Sequence, residues 1–215
     1  MNDRSRQILD NLLLQFPELG ICQESIEAAF DLLRQTYLAG GKVLICGNGG
    51  SAADAEHIVG ELMKGFRLKR PLPDEERNLL ITACDQNGGY LADHLQGALP
   101  AISLTGHPAL TLAFSNDVAP DMTFAQQVYG LGQPEDTLVA LSTSGNSVNV
   151  MNAVKVAQAF GLSTLGMTGA DGGNLGRLCD VVIRVPAGET YRIQEYHLPI
   201  YHALCAMIEL EFFPQ

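Results

Sequence analysis

The stretch Lys42-Val-Leu-Ile-Cys-Gly-Asn-Gly-Gly-Ser51 decides the fold of this chain. Its apolar run indicates a short buried β-strand at residues 42–46, and the glycines after it indicate a tight turn. Ser51 then stands where a helix N-cap is expected, ahead of a helical pattern that runs to about residue 65. The stretch therefore predicts a strand, a glycine-rich turn and a helix, which is the repeating unit of an α/β fold.

The same succession of elements returns further along the chain. Short apolar runs predict buried strands at residues 101–104, 137–141, 162–167 and 181–185. Helical spacing of apolar residues predicts the other elements: two helices in residues 5–38, mainly helix in residues 107–131 around a turn at Asn116-Asp117, a helix from Ser147 to about residue 160, and a long helix over residues 190–212. This alternation predicts a doubly wound parallel sheet flanked by helices. We expect one domain over residues 1–215, with residues 1–40 as an N-terminal helical arm.

Composition excludes several classes of function. The 13 basic and 24 acidic residues give a net charge of −11, which argues against broad binding to nucleic acid or anionic membranes. A hydrophobic content of 47% is too high for an intrinsically disordered chain. No apolar run approaches the roughly 20 residues that span a bilayer. The five cysteines are scattered, odd in number and without a CxxC pair, so we expect a reducing, cytoplasmic location.

Two loops at the expected carboxyl ends of strands carry groups that bind anions. The turn at residues 47–51 offers backbone N–H groups at a helix N-terminus, although a tight turn without a ligand explains it equally well. The loop Ser142-Thr-Ser-Gly-Asn-Ser147 carries four hydroxyl groups, whereas a helix N-cap needs only one. Because doubly wound sheets bind ligands beyond the carboxyl ends of their strands, the two loops favour a phosphorylated small molecule.

Four motifs stand in order along the chain: Cys46-Gly-Asn-Gly-Gly-Ser51, Leu141-Ser-Thr-Ser-Gly-Asn-Ser147, Thr168-Gly-Ala-Asp-Gly-Gly173 and Arg192-Ile-Gln-Glu195. Together they resemble the sugar-isomerase (SIS) domain family, and within it the phosphoheptose isomerases. The likeness extends from the N-terminal helices to Phe213-Pro214. It implies an isomerase of heptose biosynthesis, on the route to lipopolysaccharide precursors, that converts sedoheptulose 7-phosphate to D-glycero-D-manno-heptose 7-phosphate. It also implies a homotetramer with interfacial active sites and N-terminal helices that serve oligomerisation.

The resemblance further implies a set of site residues. Substrate contacts fall on loop and helix positions, namely Asn48, Gly49, Gly50, Ser51, Glu61, Asn116, Asp117, Ser142, Thr143, Ser144, Ser147 and Gln194. One zinc ion per active site is implied, with the ligands His57, Glu61, Gln194 and His202. Glu61 is the expected base and His202 its acid/base partner, with an enediolate as intermediate and zinc polarising the carbonyl. For Asn116 and Asp117 an Asx turn is the alternative.

Helical geometry supports a shared metal for His57 and Glu61 but not for Gln194 and His202. His57 and Glu61 are four residues apart and share a helix face, where a surface hydrogen bond is the alternative to metal binding. Gln194 and His202 are eight residues apart, or roughly 12 Å along a straight helix, which is too far for one zinc ion. Either Gln194 lies in an irregular start of the helix, or the two ligands come from different protomers. His197, the rival ligand, is expected to pack or hydrogen bond.

The segment at residues 71–99 departs from the family pattern as an apparent insertion. A tolerated surface decoration is one interpretation; a lid, a subunit contact or an element that reshapes the pocket is the other. Two alternative functions therefore stay open: an isomerase of a different phosphosugar, and a non-catalytic SIS adaptor that binds the replication initiator protein. The presence of both Glu61 and His202 favours an enzyme over the adaptor.

Overall fold

A five-stranded parallel sheet forms the centre of the molecule. The computed structural model describes residues 1–213, so Pro214 and Gln215 of the predicted 1–215 domain lie outside the described residues. The strands are β1 (Val43–Gly47), β2 (Ala101–Ser103), β3 (Thr137–Leu141), β4 (Ser163–Thr168) and β5 (Val181–Arg184). Their order is β2-β1-β3-β4-β5, and all neighbours are parallel. The predicted α/β fold is confirmed, and the order reverses at β1, which places the switch point between β1 and β3.

Helices cover both faces of this sheet. They are α1 (Asp3–Gln15), α2 (Gln23–Leu38), α3 (Gly50–Met63), α4 (Asp74–Ala83), α5 (Gly88–His94), α6 (Pro108–Asp117), α7 (Thr123–Leu131), α8 (Val148–Ala159), α9 (Leu175–Leu178) and α10 (Thr190–Phe212). Short 3₁₀ turns at Pro17–Cys22, Asp85–Asn87 and Pro120–Met122 connect some of them. Among residues 1–213, no helix has the length and apolar character to cross a bilayer.

Alternation along the central strands divides the core into two layers. Val43 and Ile45 of β1 pack with α1, α2, α3 and α10, whereas Leu44 and Cys46 of the same strand pack with α7 and α8. Successive side chains of a strand point to opposite faces, so a strand that is buried on both faces is apolar throughout. This is why the five residues of β1 are all buried and why the sequence shows an uninterrupted apolar run there.

The turn after β1 is tighter than the sequence predicts. Helix α3 begins at Gly50 with Gly49 in the cap position at φ 57°, a left-handed conformation that glycine adopts without a steric penalty. Ser51 lies inside the first helical turn with only 3% of its surface exposed, and its N–H donates to Asn48 O. The prediction of Ser51 as N-cap is therefore wrong, because the glycine pair turns the chain into the helix two residues earlier.

A buried ion pair fixes the end of α3 against α10. The Arg70 guanidinium donates to the Glu209 carboxylate at 2.8 Å, and both side chains are 0% exposed. Arg70 also donates to the carbonyls of Glu61 and Leu62 in the last turn of α3. Glu209 in turn accepts the backbone N–H groups of residues 66, 67 and 68. The pair therefore caps α3 and ties the segment after it to α10.

The apparent insertion folds as a helical hairpin of α4 and α5. Arg77 of α4 donates to Ala92 O of α5 at 2.7 Å and pairs with the Asp93 carboxylate. Leu79 of α4 is 68% exposed. The base of the hairpin adjoins the end of α3, since Gly65 N–H donates to Gln96 Oε1 at 2.7 Å.

Candidate active site

The first candidate region is the crevice between the carboxyl ends of β1 and β3. The turn at residues 47–51 follows β1 and the loop at residues 142–147 follows β3, and the two strands are direct neighbours. Asn48 and Asn149 join the two sides of the crevice through reciprocal amide hydrogen bonds, each 2.9 Å long. The crevice lies at the switch point, where open α/β sheets bind their ligands.

The hydroxyl-rich loop is preorganised by its own hydrogen bonds. Ser142 Oγ and Ser147 Oγ lie 3.0 Å apart, and Ser144 Oγ accepts from Asn146 N–H at 3.2 Å. Ser147 occupies the N-cap position of α8 without a side-chain cap bond, so its hydroxyl serves the loop instead. Hydroxyl groups held in this way at a helix N-terminus suit a phosphate.

The glycine-rich motif at residues 168–173 packs against this loop. Gly169 N–H donates to Thr143 O at 3.1 Å, and Leu175 N–H donates to Gly145 O at 2.9 Å. Gly145 adopts φ 64°, and a Cβ atom there would lie 2.1 Å from Gly172 O. The glycines of residues 169–173 therefore permit close backbone packing.

Gln194 belongs to the crevice. It lies in the second turn of α10, and a Cβ atom on Gly50 would come within 2.5 Å of its Nε2. The glycine at position 50 thus lets the Gln194 amide lie directly on the start of α3. Gln194 lies within helix α10, which begins at Thr190, so an irregular helix start does not bring it to His202 in one chain.

The second candidate region is a cluster on α3 and α10. His57 Nε2 lies 3.1 Å from Glu61 Oε1, so the predicted i,i+4 pair is in direct contact. The His202 ring lies against the His57 ring with centroids 4.9 Å apart at 86°, and against Phe66 at 5.6 Å. A single chain therefore brings together three of the four predicted metal ligands.

Unpartnered polar atoms distinguish this cluster. Glu61 Oε2 and His202 Nε2 are both buried without a hydrogen bond. Lys64 Nζ lies 3.5 Å from Glu61 Oε2, which is an ion-pair distance rather than a hydrogen bond. Burial lowers the pKa of His202; the neighbouring His57 lowers it further, while Glu61 opposes the shift. His202 is therefore a neutral imidazole at neutral pH, with a nitrogen atom that lacks a partner.

Sequence reasoning missed two residues that hold His57. Tyr201 Oη lies 3.0 Å from His57 Nδ1, and the same hydroxyl donates to Asp54 Oδ1 at 3.2 Å. Burial raises the pKa of Asp54, an effect that the Tyr201 hydrogen bond and His57 oppose. Asp54 lies three residues before His57, and His57 lies four before Glu61, so the three share a helix face, a signal that was available in the sequence. Tyr201 had no such signal because it resembles an ordinary core aromatic residue.

The donor atoms of the cluster suit zinc, but they do not form a complete metal site in one chain. Imidazole nitrogen and carboxylate oxygen are common zinc ligands, and Glu61 Oε2 and His202 Nε2 are buried and unpartnered. Within residues 1–213, however, no three His, Cys, Asp or Glu side chains are arranged to hold a metal ion. The fourth predicted ligand, Gln194, lies at the crevice. The four predicted ligands therefore suit zinc by their chemistry, but a single chain does not bring all four to one ion.

Two predicted positions, Asn116 and Asp117, hydrogen bond with each other. The Asn116 amide donates to the Asp117 carboxylate at 2.8 Å, and both side chains are exposed at the end of α6. Within residues 1–213, no hydrogen bond or ion pair joins them to the crevice or to the cluster. His197, the rival ligand, is 0% exposed and contacts Thr168 O at 3.5 Å, so it packs as expected.

Comparison with known proteins identifies the family. A family model described as SIS domain matches residues 101–210, and a second SIS domain model matches residues 21–87. The phosphoheptose isomerase of Rhodospirillum rubrum is 39% identical over 209 residues, which cover 97% of each chain. The chain belongs to the phosphoheptose isomerase family of SIS-domain proteins.

Solved structures of phosphoheptose isomerases share the fold. The Neisseria gonorrhoeae structure has a TM-score of 0.69 at 34% identity, covering 95% of this chain and 92% of that one. The Francisella tularensis structure has a TM-score of 0.74 at 29% identity, with coverages of 97% and 98%. The chain is thus an isomerase of the phosphoheptose isomerase family, and the prediction of an enzyme rather than a non-catalytic adaptor is confirmed.

Proposed function

We propose that this chain interconverts sedoheptulose 7-phosphate and D-glycero-D-manno-heptose 7-phosphate in an active site shared between protomers. The contact of Glu61 with His57, which itself lies against the His202 ring, is the observation that carries the proposal. The cluster supplies the Glu61 carboxylate and the His202 imidazole, each with one buried atom that makes no hydrogen bond, and these two groups suit acid–base catalysis of an aldose–ketose isomerisation. The names of the relatives supply the substrate class.

The chain's own residues account for the proton transfers. The Glu61 carboxylate removes the proton from C1 of the ketose and returns it to C2 of the enediolate. His202 moves a proton from the oxygen on C1 to the oxygen on C2, so that the product is an isomer and no atom is gained or lost. A neutral imidazole suits this exchange because its nitrogen atoms can both accept and donate.

Zinc belongs to this proposal as a cofactor. His57, Glu61, Gln194 and His202 would hold it, and when bound it supplies Lewis-acid polarisation of the sugar carbonyl and the enediolate oxygens. Glu61 Oε2 and His202 Nε2 support this assignment because both are buried without a hydrogen bond, and these two residues would alternate between holding the metal and moving a proton. Zinc analysis of the purified protein, before and after chelation, tests the metal separately from the reaction.

Distance along α3 argues for a shared site. From Gly50, at the crevice, to Glu61 the helix rises by roughly 16 Å, which exceeds the length of an extended seven-carbon sugar phosphate. Within one copy, the crevice and Glu61 therefore lie at opposite ends of α3. We propose that the Glu61 cluster of a neighbouring copy completes each site, in a homotetramer. A cytoplasmic location stays a prediction.

Mixing two inactive variants tests the shared site. Glu61→Gln removes the base of the cluster, and Gln194→Ala alters the crevice. If the site is shared, co-expressed variants recover about a quarter of wild-type activity, because random pairing unites two intact halves at one site in four. No recovery in mixed oligomers of normal size would contradict the shared site.

A substrate panel tests the phosphosugar. The base of the α4–α5 hairpin adjoins the end of α3, close to Glu61, where an added element can shape the sugar pocket. Aldoheptose 7-phosphate formation from sedoheptulose 7-phosphate supports the proposal. Turnover of only a shorter phosphosugar would favour the alternative isomerase.

A further inference from the structure

A series of side-chain contacts links Asp54, Tyr201, His57 and Glu61. Its contacts run from Asp54 Oδ1 to Tyr201 Oη at 3.2 Å, from Tyr201 Oη to His57 Nδ1 at 3.0 Å, and from His57 Nε2 to Glu61 Oε1 at 3.1 Å. Tyr201 itself is 2% exposed. The series therefore connects a carboxylate on one side of His57 to the catalytic carboxylate on the other.

Donor and acceptor counts fix the direction of these hydrogen bonds. An ionised Asp54 carboxylate only accepts, and a phenol carries one proton. Tyr201 gives that proton to Asp54, so its oxygen can only accept from His57. His57 must therefore carry a proton on Nδ1, and in the neutral ring Nε2 holds a lone pair.

That lone pair faces Glu61 Oε1, which is itself an acceptor. Two acceptors 3.1 Å apart repel each other unless a positive partner lies between them. Two ligands of a tetrahedral zinc ion with bonds of about 2.0–2.1 Å are separated by roughly 3.4 Å. The observed separation of 3.1 Å is close to this value, so both atoms can contact one ion.

We propose that Asp54 and Tyr201 are positioning residues that hold His57 in its Nδ1–H tautomer, with Nε2 presented to the metal beside Glu61. This rests on the proposed zinc site and adds to it the residues that orient one ligand. Metal-bound histidines commonly donate their second N–H to a carboxylate, carbonyl or water, which fixes the tautomer and the ring orientation. Here a tyrosine hydroxyl stands between the imidazole and the carboxylate.

The tautomer can be measured without metal. In metal-free wild-type protein at about pH 8.5, where an ordinary imidazole is neutral, ¹⁵N NMR is expected to show His57 protonated on Nδ1. Asp54→Ala removes the acceptor, so Tyr201 becomes free to donate to Nδ1 and the proton is expected to move to Nε2. His57 protonated on Nε2 in the wild type would overturn the proposal.

Zinc affinity gives the second measurement. Tyr201→Phe removes one hydroxyl and is expected to weaken binding of Zn²⁺ alone, measured against a chromophoric chelator, by about 10–100-fold. Tyr196→Phe is the matched control, because it changes the same residue type on α10, where the hydroxyl contacts Glu18 rather than His57. Equal zinc affinity in wild type, Tyr201→Phe and Asp54→Ala would also overturn the proposal.

These two measurements separate this proposal from the proposed function. A wild-type protein that binds no zinc contradicts the metal assignment, whereas the tautomer of metal-free His57 still tests the roles of Asp54 and Tyr201. If Tyr201→Phe does not fold, as judged by circular dichroism, Asp54→Ala carries both measurements. If the protein binds zinc normally but does not convert sedoheptulose 7-phosphate, the proposed reaction is contradicted, whereas the positioning role of Asp54 and Tyr201 is not.

Discussion

The crevice and the α3–α10 cluster differ in how far one chain satisfies their polar groups. In the crevice, the Asn48–Asn149 pair and the Ser142–Ser147 contact hold the side chains in place. In the cluster, Asp54 Oδ2, Glu61 Oε2 and His202 Nε2 are buried without a hydrogen bond. Burying a polar atom without a partner costs free energy, so such atoms need a functional explanation. These crevice side chains thus have hydrogen-bond partners within one chain, whereas the buried atoms of the cluster do not.

The largest effect is expected from the base of the cluster. Glu61→Gln keeps the size of the side chain and removes its ability to accept the carbon-bound proton, so kcat should fall by about 10²–10⁴-fold. The control is Glu56→Gln, which lies on the same helix and contacts Thr105 at the surface. Steady-state kinetics with sedoheptulose 7-phosphate measures both variants. A kcat near that of wild type would remove Glu61 from the mechanism.

The next effect concerns the scaffold that holds the cluster. Arg70→Met leaves the buried Glu209 carboxylate without its cation, and the free energy of unfolding should fall by about 3–5 kcal/mol. Arg192→Met is the control because its ion pair with Glu195 is exposed, and a much smaller loss is expected. Urea unfolding measures both losses. Equal losses would mean that the Arg70 pair does not clamp α3 to α10.

His197, outside the cluster, also has a buried atom without a hydrogen bond, Nδ1. Burial lowers the pKa of His197 to about 4 from an ordinary 6.5. The free energy of unfolding should therefore be unaffected by His197 above pH 6.5. It should fall by about 3 kcal/mol as the pH drops from 6.5 to 4, because the unfolded chain takes up a proton that the buried His197 does not. His197→Gln should remove this part of the acid destabilisation. His94→Gln, on the surface, should keep it, and urea unfolding between pH 7.5 and 4 compares them. Identical pH profiles for wild type and His197→Gln would contradict the assignment.

The smallest effect is expected in the crevice. Ser144→Ala removes one hydroxyl from a loop that keeps its other hydrogen bonds, so KM should rise roughly tenfold with little change in kcat. Ser25→Ala is the control, because the Ser25 hydroxyl in α2 donates to Cys22 O. An unchanged KM for Ser144→Ala would contradict a role of that hydroxyl in phosphate binding.

Local signals carried most of the site prediction. The glycine turn and the hydroxyl loop were visible because a parallel strand, its turn and the following helix are contiguous in sequence. Tyr201 was missed because its role depends on two side chains of α3, which lie more than 140 positions earlier. Ser51 was misassigned because the positive φ of Gly49, rather than a side-chain hydrogen bond, starts the helix.

The sequence by itself determined the alternation of strands and helices, the apolar run that buries β1 on both faces and the spacing of His57 and Glu61. These features depend on residues within a few positions of one another, so short periodicities encode them. The tertiary structure decided that α10 lies on α3, which places His202 at His57 but leaves Gln194 at Gly50. Burial of many distant apolar side chains fixes that packing, and no local pattern records which faces meet.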